Sequence, residues 1–442
     1  MLIIGGGRLL TFDVQGRVLE DGAVAIEGGI IRDVGRTSEV RRRYPDAEFI
    51  DAGGRVIMPG MINAHMHLYS TFARGMALKD APPRTFIQIL ERLWWRLDKA
   101  LGPEDVYVSA LVPLIDCIRC GTTTILDHHA SPMAVAGSLD QIARAVGEAG
   151  IRACLAYEVS DRDGVDIADQ GIRENVRLVE RCRRERGEHL AASFGLHAQI
   201  TLSDATLAKC REAAEGLDVG FHVHVAEGRE DVEDALAKSG KRVVERLDAF
   251  GILGPKTIAA HCVHITEAEM EILRERDVNV VHNPESNMGN AVGVAPVLRM
   301  MARGVRVGLG TDGYTADMFE SVKVANTLHK LAEKNPSAAW SEVPAMAFGN
   351  NREIARRVFG LKLGVLEPGA AGDVIVVDYR PPTPLDPGNY YSHILFGMSG
   401  GLVDTTVVAG RVLMRGRKLL GLGEERITAR SRELARRVWE RF

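Results

Sequence analysis

Four stretches of the chain carry the side chains best suited to chemistry: His65-Met66-His67, His222-Val223-His224 with Glu227 three residues on, His261, and Asp312. Imidazole nitrogens and a carboxylate oxygen are the donors that Zn²⁺ and similar divalent ions prefer. Read as strands, each His-x-His pair puts both rings on one face, because side chains two apart point the same way. A single His-x-His is by itself more often a pair of hydrogen-bonded histidines. Here, however, seven of the 13 histidines (65, 67, 197, 222, 224, 261 and 282) fall on strand-patterned segments, most near the C-terminal end.

Donors so far apart in sequence need a scaffold that gathers strand ends. From Val56 onward, short apolar strands alternate with helical patterns: VIMPGMINAHMH, TTTILDHH, RACLAYEV, LAASFGLHA, VGFHVHVAE, TIAAHCVH, VNVVHNPE and VRVGLGTD. Eight β-then-α repeats predict an α/β fold of the (β/α)8 TIM-barrel type, whose active site lies at the C-terminal strand ends. His65 and Asp312 are 312 − 65 = 247 residues apart, near the typical barrel length of about 250. Closure sets the first and eighth strands side by side, so His65, His67 and Asp312 become neighbours and His224 faces them. Three imidazoles and a carboxylate suit Zn²⁺ or a similar ion with one position open to water. Such an ion lowers the pKa of water from near 16 to about 7.

Residues 1–55 and 366–442 have a different texture, short β patterns broken by glycine, and are predicted to pair as the two parts of one small β-sandwich module flanking a barrel of residues 56–365. The last segment ends in a helix, ARSRELARRVWERF, whose Arg-rich face reads as solvated surface. With 442 residues, 26% charged, 46% hydrophobic and a formal charge of −4, the composition excludes wholesale disorder and gives no electrostatic reason to expect nucleic acid or membrane as partner. No apolar run approaches the roughly 20 residues of a spanning helix, and MLIIGGGRLLTFD lacks the basic start of a signal peptide. A cytoplasmic location is expected. Six dispersed cysteines are no disulfide framework, and the Cys117-x-x-Cys120 pair, at a helix end closed by Gly121, reads as free core thiols. Gly5–Gly7 match no phosphate-binding fingerprint, since no helix follows.

The motifs PGMINAHMH, HVHVAE, AAHCVH, HNPESN and GTDG, in this order, resemble the amidohydrolase superfamily, in the branch of the cytosine, guanine and S-adenosylhomocysteine deaminases and the triazine chlorohydrolases. FIQILERLWWRLDKAL and LIDCIRCGTTTILDHHASP further resemble the SsnA-type aminohydrolases, and the resemblance runs nearly end to end. It implies His65, His67, His224 and Asp312 as metal ligands, Asp312 also accepting a proton from water, Glu227 as proton shuttle and His261 as the histidine beside the attacking hydroxide. LAASFGLHA holds no lysine to carry a second ion, so one divalent metal is expected, Zn²⁺ or Fe²⁺. His197 matches a substrate-facing histidine. The implied activity is release of ammonia from an amino-substituted, purine- or pterin-like heterocycle; the alternatives are hydrolysis of another C–N or a C–Cl bond on a similar ring, or a silent scaffold. A homo-oligomer, dimer or larger, is implied as well. Further substrate-contact candidates are Arg74 (or a surface ion pair), His128 at the end of strand two, and Ser286 and Asn287, which could instead cap a turn. His222 reads as a packed core histidine and His282 as structural, while Trp94 and Trp95 read as core packing, with a cavity-facing role open to one of them.

Overall fold

The computed structural model describes residues 1–442. Eight parallel strands form the barrel: Met61–Met66, Thr122–Asp127, Arg152–Leu155, Leu190–Ala192 continuing as Phe194–Ala198, Phe221–Val225, Ile258–His261, Asn279–His282 and Arg306–Leu309. They run as two hydrogen-bonded arcs. One seam is closed by Thr311 and Asp312 N–H groups donating to the His65 carbonyl, both at 3.0 Å. The other is closed where His197 N–H donates to the Val159 carbonyl at 3.0 Å. All but Leu190, Ala192 and Arg306 of these strand residues are buried, as expected for parallel strands covered by helices on one side and packed inside on the other.

The helices that follow the strands have legible starts and stops. Ser203, Thr266 and Asp317 cap Asp204–Ala213, Glu267–Glu275 and Met318–Ala332 by accepting first-turn N–H groups. Pro103–Cys120 stops at Gly121, whose φ of 76° belongs to the left-handed region that glycine enters freely. Cys117 and Cys120 lie at this helix end as free thiols, Cys117 buried, as the sequence predicts.

The stretch VIMPGMINAHMH, read from sequence as one strand, is divided. Val56–Pro59 joins the flanking sheet and Met61–Met66 the barrel. Gly60 makes the turn possible, since a Cβ there would sit 2.2 Å from the Thr123 hydroxyl oxygen. The flanking sheet has nine strands drawn from residues 2–59 and 374–419, with Val56–Pro59 joined to Leu2–Leu10 on one side and Val374–Val377 on the other. The expected sandwich is this single sheet turned back on itself. Ile30 bridges Ala371, Gly372 N–H donates to the Gly29 carbonyl at 2.7 Å, and 15 buried apolar residues fill the space enclosed.

The terminal helix Glu424–Arg441 packs on Pro103–Cys120 with Ile427, Leu434 and Val438 buried, and Trp439 Nε1 donates to the Phe72 carbonyl at 2.8 Å. Its arginines are not merely solvated, for Arg430 pairs with Glu104 at 2.6 Å and Arg441 with Asp105. No helix is long and apolar enough to cross a membrane.

Candidate active site

The first strand brings His65 and His67 to the barrel mouth, the fifth His224, and the residue beyond the eighth Asp312. His67 Nε2 lies 3.1 Å from both His224 Nε2 and Asp312 Oδ1, and His65 Nε2 lies 3.9 Å from that same oxygen. The other ring nitrogens are engaged. His67 Nδ1 donates to the His128 carbonyl at 2.5 Å and His224 Nδ1 to the His197 carbonyl at 2.7 Å. His65 Nδ1 bonds His222 Nε2 at 2.8 Å, while its buried Nε2 has no partner.

Because a carbonyl can only accept, both Nδ1 atoms carry protons, and in the neutral rings the Nε2 lone pairs of His67 and His224 face one another. Two such lone pairs repel unless a cation lies between them. Donors bound tetrahedrally at 2.0–2.2 Å stand about 3.3–3.5 Å apart, so the donor set fits a divalent ion.

Beside it stand two carboxyl groups and an imidazole. Glu227 Oε2 is 3.4 Å from His261 Nε2, which is 3.8 Å from Asp312 Oδ2. His261 Nδ1 donates to Asn287 Oδ1 at 2.8 Å, which turns the Nε2 lone pair toward both carboxyl groups. Burial, reinforced by the Asp312 charge, pushes the Glu227 carboxyl up to about 8. Burial acts the same way on Asp312, but the imidazoles around it, His67 foremost, outweigh it and hold that carboxyl well below its usual range. Ser286 Oγ and Gly313 N–H also donate to Asp312. His261 and Asp312 take left-handed φ values of 72° and 54°, conformations that cost about 1–3 kcal/mol and tend to collect at functional sites.

A cavity opens above this cluster. Phe86, Ile87, Leu90, Trp94, Trp95 and Tyr314 line it, so both tryptophans face the cavity in addition to packing. Six carboxyl groups line it (Asp98, Glu158, Glu227, Glu230, Asp231 and Asp312) and no Lys or Arg does. Asp98 is paired with Arg162, and burial pushes it up to about 6.

Among the predicted substrate contacts, His197 and Ser286 line the cavity and three residues do not. Asn287 is buried behind His261 as its hydrogen-bond partner. His128 is wholly buried, stacked on His222 with ring centres 4.3 Å apart, because the strand-two end turns it inward under the metal-site histidines. Arg74 points outward and pairs with Asp116 at 3.0 Å, its side chain 61% exposed. His222, read as a packed histidine, proves to be the partner of His65, and His282 bonds His329 in the core.

Sequence reasoning missed Glu158. It is the last residue but one of the third-strand segment RACLAYEV and lines the cavity with its carboxylate 3.3 Å from His67 Nδ1. Burial would raise its pKa, but the His67 N–H and the neighbouring imidazoles bring it down to about 2. A glutamate just beyond the C-terminal end of a barrel strand was the available signal.

A parallel barrel with this donor set at its strand ends defines a metal-dependent hydrolase. Residues 56–413 match the amidohydrolase family, and residues 22–47 match an imidazolonepropionase-like composite domain of bacteria. The chain is 34% identical to a 5'-deoxyadenosine deaminase of Methanosarcina mazei, over 98% of this chain and 97% of that one. It is 36% identical to a 5-methylthioadenosine/S-adenosylhomocysteine deaminase of Desulforudis audaxviator, covering 95% of each. In structure it is similar to a zinc-bound adenosine deaminase from Xanthomonas campestris, with a TM-score of 0.88, 26% identity and coverage of 99% and 98%. It is also similar to the zinc complex of the atrazine chlorohydrolase TrzN from Arthrobacter aurescens, with a TM-score of 0.83, 25% identity and coverage of 98% and 100%. The chain belongs to the amidohydrolase family. It is a hydrolase acting on carbon–nitrogen bonds other than peptide bonds.

Proposed function

We propose that the protein is a deaminase of amino-substituted, purine-like heterocycles that binds one divalent ion, Zn²⁺ in the first place, through His65, His67, His224 and Asp312. The observation that carries this reading is the meeting of Glu227, His261 and Asp312 within 3.4–3.8 Å beside the converging imidazoles. The relatives' names, all deaminases of adenine nucleosides, support the ring class.

When bound, the cation supplies Lewis acidity that brings the pKa of water down to about 7. Asp312, held ionised, accepts the proton of the attacking water. Glu227, held protonated, delivers a proton to the ring nitrogen beside the carbon under attack. His261, its Nδ1–H fixed on Asn287, accepts a hydrogen bond from that water and orients it. Collapse of the tetrahedral adduct expels the amine as ammonia, which takes the proton held by Asp312, while the adduct hydroxyl returns its proton to Glu227 and becomes the ring carbonyl. Two carboxyl groups with opposite protonation states thus divide the acid and base roles.

The same reading places the protein in the cytoplasm, supported by its six free thiols. It also makes the protein a homo-oligomer, supported by the surface pair Trp340 and Phe396, whose rings are 6.1 Å apart on an exposed face.

A panel of aminopurines, pterins, aminopyrimidines and aminotriazines, assayed for ammonia release alongside elemental analysis, tests the proposal. Turnover of at least one ring with one equivalent of metal is expected. Metal-free protein inert toward the whole panel would overturn it.

A further inference from the structure

Three side chains from one short helix and its cap reach the three groups that move protons. The helix Pro284–Gly289 follows the seventh barrel strand, and Asn290 closes its C-terminal end. Ser286 donates to Asp312 Oδ2, Asn287 Oδ1 accepts from His261 Nδ1 at 2.8 Å, and Asn290 Nδ2 lies 3.3 Å from Glu227 Oε1. Ser286 and Asn290 are four residues apart and so share a helix face. The same Asn290 nitrogen lies 3.2 Å from Ser286 Oγ. Asn290 lines the cavity, yet it has no part in the steps above.

The directions of these bonds follow from which atoms hold protons. An amide nitrogen carries two hydrogens and only donates, so Asn290 gives one to Ser286 Oγ and the other to Glu227 Oε1. Ser286 receives from Asn290 and spends its own hydroxyl proton on the Asp312 carboxylate. The two Glu227 oxygens thereby become unlike. Oε1 faces an N–H, which suits the carbonyl oxygen of a carboxylic acid. Oε2 lies 3.4 Å from His261 Nε2, a lone pair in the neutral ring whose Nδ1–H goes to Asn287. The acid proton therefore sits on Oε2, the side of Glu227 that faces His261 and, beyond it, Asp312. One amide nitrogen thus links the acid to the base and turns the acid toward the reaction.

We propose that Asn290 is the positioning residue for proton delivery by Glu227. The proposal rests on the deaminase reading and deepens it. In that delivery the Glu227 Oε2–H bond breaks and its electron pair stays on the carboxylate. The proton forms a new N–H bond with the lone pair of the ring nitrogen. Negative charge then spreads to Oε1, where the Asn290 N–H is already in place. A hydrogen bond to a carboxylate is stronger than one to the neutral acid, so the Asn290 bond tightens as the proton leaves. An interaction that grows toward the transition state raises kcat and leaves substrate binding unchanged.

The experiment measures kcat, KM and metal content for the native enzyme, Asn290→Ala, Asn290→Asp, Glu227→Gln and the combined Asn290→Ala/Glu227→Gln variant. The substrates are 5'-deoxyadenosine, guanine and isocytosine, compared on the ring that the native enzyme turns over fastest. Asn290→Ala should keep its metal and its KM while kcat falls about 10–100-fold, the worth of one hydrogen bond to a charged group. Asn290→Asp should lose more than Asn290→Ala, because its carboxylate draws the Glu227 proton to the wrong side and turns the Ser286 hydroxyl away from Asp312. A role in packing alone gives the reverse order, since aspartate fills the space of asparagine. In Glu227→Gln, which ferries no proton, adding Asn290→Ala should cost nothing further, as for residues that act through one another. If Asn290→Ala does not fold, Asn290→Asp takes its place in the combined variant. An unchanged kcat, a loss confined to KM, a milder loss in Asn290→Asp than in Asn290→Ala, a full additional loss in the combined variant, or loss of metal would overturn the inference while the deaminase reading stands. Failure of the metal-loaded native enzyme to release ammonia from these rings and from the wider panel would overturn that reading, and this inference with it.

Discussion

The imidazoles of His65 and His222 share one hydrogen bond, Nδ1 to Nε2 at 2.8 Å, in a fully buried setting. The bond fixes which nitrogen of His65 would be free for the proposed metal, and groups that orient a ligand in this way typically contribute tenfold to hundredfold in affinity. In His222→Leu the fold should survive and zinc affinity, measured by chelator competition, should fall by about 10–100-fold. Unchanged affinity would reduce His222 to a packing residue.

Glu227 is three residues beyond His224 and touches Asn290 and His261 without joining the converging donor set. Glu227→Gln preserves shape but cannot ferry a proton. Metal content should stay near one equivalent while turnover falls by about 10²–10⁴-fold. Loss of metal together with activity would make Glu227 a ligand, and near-normal turnover would pass the proton transfer to another group.

Arg152 of the third barrel strand is wholly buried against Asp373, which leads into the flanking sheet, with Nε to Oδ2 at 2.9 Å. Asp373 also accepts the Ala409 N–H at 2.8 Å. Asp373→Asn should cost about 3–5 kcal/mol in chemical denaturation, because it strands a buried guanidinium. Arg152→Met combined with Asp373→Leu should recover most of that loss, since a well-packed apolar pair often matches a buried ionic one.

Carboxyl groups crowd the cavity and no Lys or Arg lines it, so no side-chain cation receives an anionic substituent away from the metal site. At an effective dielectric of about 20, two like charges roughly 6 Å apart repel by about 2.8 kcal/mol, or about a hundredfold. The 5'-phosphate of any nucleoside the enzyme accepts should show at least that drop in kcat/KM at low salt. Comparable turnover of nucleoside and nucleotide would show that the acidic lining does not reach the substituent.

We propose that residues 1–55 and 366–442 are one folding unit beside a barrel of 56–365. Deleting residues 1–50 removes the strand Leu2–Leu10, which pairs with Val56–Pro59 and leaves it unpartnered on that side. The truncated chain should be insoluble, or should expose the C-terminal segment to protease. A soluble, fully active truncation would refute the unit.

The donor set was legible because strand geometry is simple: a period of two fixes which histidines share a face, and barrel closure fixes which strand ends meet. What stayed hidden depends on turns and tautomers. Arg74 follows a short helical turn, Leu68–Ala73, whose direction no spacing reveals, and it turned outward to Asp116. Asn287 was visible as a residue but not as the partner of His261, because that contact joins the sixth strand to the helix after the seventh. His222 read as packing because its bond to His65 crosses the barrel interior, where the neighbour is set by shear and not by sequence.

The place of Val56–Pro59 in the middle of the flanking sheet has a consequence during synthesis. One edge is satisfied at once by Leu2–Leu10, already made, whereas the other waits for Val374–Val377, 374 − 59 = 315 residues later. At ribosomal rates of about 5–20 residues per second, that strand edge stands open for roughly 15–60 s while the whole barrel is translated. An open edge invites pairing with another chain, so the nascent polypeptide is most vulnerable to aggregation in that interval, and a cell producing it quickly would depend on chaperones holding the half-built sheet.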